Sequence, residues 1–150
     1  MSAVTPLDTV NRFFRALESL DEDTLNAVLS DSPDFGWYLR PASVGGSDRF
    51  EGLPAKPNAD KPGFITHLKG LRNIVKTVKF AEADELLHTV ANETQVVVHT
   101  WSKGELLNGQ PYSNEYMWLF NFDGEGRIVK IVEFIDSHLS IKILAGQEQA

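Results

Sequence analysis

Three long runs in the C-terminal half of the chain, 94–106, 111–122 and 127–135, are joined by short links that carry Asn108-Gly109-Gln110 and Asp123-Gly124-Glu125-Gly126. Connections that short, built from Asn, Asp and Gly, leave no room for a crossover and read as hairpin turns. The runs themselves are rich in Val, Ile, Thr, Phe, Tyr and Trp, the residues that favour a pleated strand. A fourth run at 76–88, joined through Ala91-Asn92-Glu93, completes an expected antiparallel meander of four strands.

A meander needs something to cover its apolar face, and the first half of the chain supplies helices. Thr5-Pro6-Leu7-Asp8 offers a cap, a proline at the first helical position and an acid in the first turn. Leu7, Val10, Phe13, Phe14, Leu17 and Leu20 then form an apolar stripe at helical spacing, opposite Asn11, Arg15 and Glu18. Asp21 caps a second short helix carrying Leu25, Val28 and Leu29, which ends before Ser32-Pro33. Phe35 to Pro41 reads as a short strand. The glycine- and proline-rich stretch 45–63 reads as a long loop, either a lid over a site or a plain connector. Pro62 opens a third helix with Phe64, Leu68, Leu71 and Val75 on one stripe and His67 and Ile74 beside it. Residues 139–144 close the chain as a helix or a further strand. Helices followed by a meander make an α+β domain, one domain over 1–150.

Composition narrows the function. The chain is 42% apolar and 23% charged, as expected of a folded domain, and its net charge of -7 disfavours nucleic acid and anionic membrane as partners. It has no cysteine, which removes thiol nucleophiles, disulfides and thiolate metal sites. The N-terminal segment lacks the basic and apolar blocks of a signal peptide, and no apolar run approaches the roughly 20 residues that span a bilayer, so a cytoplasmic location is expected.

The chemistry-bearing residues concentrate in the strands. On the third run Asn114, Tyr116, Trp118, Phe120 and Phe122 share one face, which is either core or the wall of a pocket with a few polar tips. On the last, Glu133 stands in one row with Val129, Ile131 and Ile135, leaving Ile128, Val132 and Phe134 on the other face. A carboxylate among apolar neighbours loses hydration and its pKa rises, which suits general acid/base chemistry; an outward or ion-paired Glu133 is the plainer alternative. His99 shares a face with Val97, Trp101 and Lys103, and is either a proton shuttle or a structural histidine. Asp136 is a further acid or the cap of the last segment. Scattered histidines without HxH or HxxxH spacing predict no metal, and the absence of a phosphate loop or nucleophile motif predicts no cofactor.

The stretch 108–139, with its Asn-x-Tyr strand, its Gly-Arg-Ile turn exit and its Glu-Phe-Ile-Asp ending, resembles the SnoaL-like branch of the nuclear-transport-factor-2-like proteins. Ketosteroid isomerases, limonene-epoxide hydrolases and polyketide cyclases are its relatives. The resemblance implies a cone-shaped curved antiparallel sheet packed on N-terminal helices, a cystatin-like α+β barrel, a pocket for an apolar small molecule, and a homodimer through the outer sheet face. The three polar groups of the isomerases fall on Phe13, Trp37 and Trp118, so that mechanism loses its chemistry here. The last-strand carboxylate of the epoxide hydrolases falls on Glu133, while their Arg-x-Asp has no counterpart at 99–103. The cyclases' histidine is missing, although Asp136 supplies an acid.

The sequence therefore nominates Glu133, His99 and Asp136 as catalytic residues. It nominates Phe13, Trp37, His67, Trp101, Asn114, Tyr116, Trp118, Ile131 and Ile135 as the lining of a substrate pocket. The expected activity is cofactor-free isomerisation, cyclisation, dehydration or epoxide opening. A non-catalytic ligand-binding or dimerisation module is the alternative.

Overall fold

The computed structural model describes residues 3–41 and 56–136. Helix α1 (Pro6–Ser19) starts in a reciprocal cap: the Thr5 hydroxyl accepts from the Asp8 amide, and the Asp8 carboxylate accepts from the Thr5 amide. It stops at Leu20, which turns into the left-handed region and returns its amide to the helix's last carbonyls. Helix α2 (Glu22–Val28) is capped by Asp21. After it Leu29 leaves helical geometry and bridges to Ile128 in the sheet. Strand β1 (Gly36–Arg40) and helix α3 (Lys61–Leu71) complete the first half. Lys61, at the start of α3, is nearly buried, and its ammonium is held by the carbonyls of Asn26 and Leu29 and by Asp31.

Strands β2 (Val75–Phe80), β3 (His88–Ala91), β4 (Gln95–Leu106), β5 (Pro111–Phe122) and β6 (Ile128–Ile135) form the curved, unclosed sheet together with β1, in the order β1-β6-β5-β4-β2, with β3 also paired to β4. This is an α+β fold with the helices packed against the sheet. Val10, Phe13, Phe14, Leu25, Val96, Val98, Phe120, Ile128 and Ile131 pack between the layers with at most traces of exposure.

Four details depart from the sequence reading. The run 76–88 is two strands, because a single 3-10 turn at Ala83–Glu85 breaks it after Phe80. The sheet is not purely a meander, since β1 adds to β6 in parallel. The expected loop 45–63 ends earlier: α3 begins at Lys61, and Asn58 and Ala59 exchange backbone hydrogen bonds with Trp37. Its 45–55 portion lies outside the described residues, as does 139–144.

The fourth departure is a bulge. The β5–β6 pairing shifts between Asn121 and Phe122, so that Asn121 faces Lys130 while Phe122 faces Ile128. One extra residue on β6 turns Ile128 from the outer face into the core, where it is fully buried; Val132 and Phe134, beyond the bulge, keep the expected outward side. A second irregularity, between Val75 and Thr77 on β2, sits beside Gly104 on β4. There the strands approach so closely that a Cβ on Gly104 would overlap the Thr77 carbonyl.

Candidate active site

A cavity opens where α1 and α3 leave the sheet. Leu17, Leu20, Leu68, Leu71, Val75, Val78 and Phe80 give it apolar walls, and His67, Arg72, Tyr112, Tyr116, Trp118 and Glu133 supply its polar atoms. It encloses about 80 Å³ of free space, room for a compact ligand or the reacting part of a larger one.

Glu133 reaches this cavity because β6 alternates normally beyond the bulge, which sets it opposite Trp118 on β5 and Leu39 on β1. The Trp37 indole nitrogen donates a hydrogen bond of 3.0 Å to Glu133 Oε1. Burial raises the Glu133 pKa to about 7, against a smaller downward pull from the Trp37 N–H. A carboxyl poised there exchanges a proton near neutral pH.

The other polar groups are donors or neutral. Tyr116 is buried, and its hydroxyl lies 2.9 Å from Ser102 Oγ. Burial first, and then neighbouring Tyr112 and Glu133, push its pKa well up, so it stays a phenol. Tyr112 is raised in the same way by burial. Burial lowers the pKa of His67, whose ring packs 4.5 Å from that of Trp37, so it is neutral at pH 7. Arg72 caps the C-terminus of α1 through the carbonyls of Leu17 and Glu18 while lining the cavity. Trp118 is 2% exposed, and its indole N–H has no hydrogen-bond partner among the described residues. A buried donor left unpaired costs about 1–3 kcal/mol.

Of the residues nominated from sequence, Glu133, Tyr116, Trp118 and His67 meet in the cavity, with Trp37 bonded to Glu133 at its edge. The others are placed elsewhere. His99 projects from the opposite face of the sheet, where it meets Glu115 at 2.6 Å and stacks on His88. Trp101 is on that outer face too, under the Lys103 ammonium. Both follow from β4 alternation, in which Val96, Val98, Thr100 and Ser102 take the inner side. Asp136 is exposed, and its amide donates to Asn114 Oδ1, which ties the end of β6 to β5. Phe13 and Ile131 are core residues, and Ile135 borders an outer groove with His99 and Phe134. Tyr112 and Arg72 were missed. Tyr112 continues the period-two row of Asn114, Tyr116 and Trp118 by one step, whereas Arg72 carries no periodic signal.

No protein-family model and no curated protein matches the sequence. Solved structures do match. The pinacolase BvnE of Penicillium brevicompactum superposes with a TM-score of 0.75 at 21% identity, covering 96% of this chain and 94% of its own. A limonene-epoxide-hydrolase-like epoxide hydrolase of M. tuberculosis gives 0.65 at 18%, covering 93% and 89%. A SnoaL-like polyketide cyclase of Agrobacterium tumefaciens gives 0.65 at 13%, covering 96% and 99%. The fold is the SnoaL-like, NTF2-like fold. At these identities the likeness defines architecture, and within the SnoaL-like fold the chemistry belongs to the side chains of the individual pocket. No helix among the described residues is long and apolar enough to cross a membrane.

Proposed function

We propose that this protein is an enzyme that moves a proton on a small, mostly apolar substrate without a cofactor, Glu133 acting as the acid or base. The observation that carries the reading is the Glu133 carboxyl, with a pKa near 7, in a cavity whose remaining polar groups are largely neutral donors. A substrate with one acceptor oxygen suits them: Trp118 N–H and the Tyr112 hydroxyl hold that oxygen, while the apolar walls take the carbon skeleton. Isomerisation, cyclisation, dehydration and epoxide opening each need such a proton transfer, and the names of the structural neighbours, a pinacolase, an epoxide hydrolase and a cyclase, fall in this range.

A second reading is supported by the packing of Phe13, Phe14, Phe80, Trp118 and Phe120 on one another, which fills space between helices and sheet with the protein's own rings. That suits a non-catalytic ligand-binding or dimerisation module. Met117 and Phe134 are 43% and 48% exposed on the outer sheet face, and a homodimer through that face would cover them.

The test is a thermal-shift screen with terpenoid, polyketide, steroid and aromatic compounds, since a ligand that binds the folded state stabilises it by an amount that rises with the logarithm of its concentration over its Kd. Hits are then assayed for conversion by the wild type and by Glu133→Gln. A compound bound by both and converted only by the wild type supports the proposal; full conversion by the variant removes Glu133 from it. Binding without conversion moves the weight to the module.

A further inference from the structure

Trp37 is held on every side. Its backbone N–H donates to the Ala59 carbonyl at 3.0 Å, and its own carbonyl accepts from the Asn58 amide at 2.7 Å. On its other edge β1 pairs with β6, Trp37 opposite Ile131. The side chain lies against Phe64 at 5.1 Å and His67 at 4.5 Å, both from α3, and is 4% exposed. The indole therefore has one orientation, and in that orientation its N–H meets Glu133 Oε1. Among the described residues Glu133 has no other hydrogen bond, so Oε2 is left without one while the side chain lines the cavity.

We propose that Trp37 is the positioning residue of the site: it engages Oε1 of Glu133 and so presents Oε2 as the oxygen that takes and returns the proton. The proposal rests on the reading of Glu133 as the proton-transferring group. A carboxylate free to rotate about its last torsion offers either oxygen in a spread of directions, whereas one pinned by an N–H from a clamped ring offers a single lone-pair direction. Segment 58–59, by bracing the Trp37 backbone, supports the site without touching the cavity.

The bond also sets how readily the proton leaves, because an N–H donor favours the ionised carboxyl. The titratable groups that line the cavity with Glu133 are Tyr112 and Tyr116 from β5, His67 from α3 and Arg72 just after it; α1 and β2 contribute only apolar side chains to the cavity. The phenols stay neutral and burial holds His67 neutral, so at pH 7 only Arg72, engaged by the Leu17 and Glu18 carbonyls, adds a charge.

The experiment needs no substrate. The 13C side-chain resonance of Glu133 and the indole 15N–1H resonances of the three tryptophans are followed from pH 4 to 9 in the wild type, Trp37→Phe and Glu133→Gln. In the wild type the Trp37 indole resonance is expected to titrate together with the Glu133 carboxyl, and Glu133→Gln abolishes that titration. Trp37→Phe is expected to raise the Glu133 midpoint by about one unit, the size of a hydrogen bond to a charged group. An unmoved midpoint, or a Trp37 resonance indifferent to Glu133, overturns the positioning role. If Trp37→Phe does not fold, the wild-type and Glu133→Gln titrations decide alone. A wild-type Glu133 that titrates as an ordinary surface carboxyl instead sinks the proposed function and leaves the hydrogen bond itself to be read from the indole shift.

Discussion

The imidazole of His99 and the carboxylate of Glu115 meet at 2.6 Å on the side of the sheet that Glu133 does not face. Their pairing is a surface matter: side-chain exposures of 25% and 66% leave it screened by water and salt. His99→Ala is expected to change the unfolding free energy by no more than about 1 kcal/mol and to leave the Glu133 titration in place. Urea unfolding and the carboxyl resonance check both. A Glu133 midpoint displaced by His99→Ala would mean that the two residues communicate through the sheet.

Glu133 makes stability fall as pH rises. Its pKa is about 7 in the folded chain against an ordinary 4.5, so between those values the folded protein keeps a proton that the unfolded chain has lost. The stabilisation is complete below about 4.5 and gone above about 7, an amount on the order of 3 kcal/mol. His67, lowered by burial, acts in the opposite direction as pH falls through about 6.5. The difference between Glu133→Gln and wild type isolates the carboxyl: the variant's relative stability is expected to climb from pH 4.5 to 7 and then level off. A difference independent of pH would show that the carboxyl is hydrated.

Trp118→Phe keeps a ring among Phe13, Phe14 and Phe120 and deletes only the indole N–H and part of its volume. Losing an unpaired buried donor offsets the lost packing, so the change in stability is expected to stay within about 1–2 kcal/mol. Affinity for an acceptor-bearing ligand is expected to drop about tenfold, the value of one hydrogen bond. Isothermal titration on the two proteins measures it, and equal affinities would remove the Trp118 N–H from ligand binding.

Gly104→Ala is expected to cost about 3 kcal/mol or more, since the added methyl group meets the Thr77 backbone rather than a flexible side chain. Displacing β2 would also move Val75 and Val78, two walls of the cavity. Calorimetry reads the first effect and loss of ligand stabilisation the second. An alanine variant as stable as wild type would mean that β2 slides without penalty.

Much of this was legible in the residues themselves. The cap at Thr5, the Asp21 cap and the long hairpins are local chemistry, and each element formed where that chemistry placed it. Glu133 could be found because a lone acid in an apolar strand is conspicuous. What escaped was register and neighbourhood. A single bulged residue near Val129 reversed Ile128, and nothing in a period-two pattern announces it. His99 has apolar sequence neighbours just as Glu133 has, yet the strand beside it buries the other row, and only the folded sheet shows which row is inner. The Trp37 bond to Glu133 joins residues 96 positions apart and has no local signature.

That separation also has a temporal meaning. Strand β1 leaves the ribosome long before β6, the strand it pairs with, has been made. At about 5–20 residues per second the wait is roughly 5 to 20 s. Throughout it, the β6-facing edge of β1 carries unmatched amides, while Asn58 and Ala59 pair with Trp37 on its opposite side. An exposed strand edge invites other chains, so the newborn protein carries that liability until β6 arrives and brings Glu133 to Trp37.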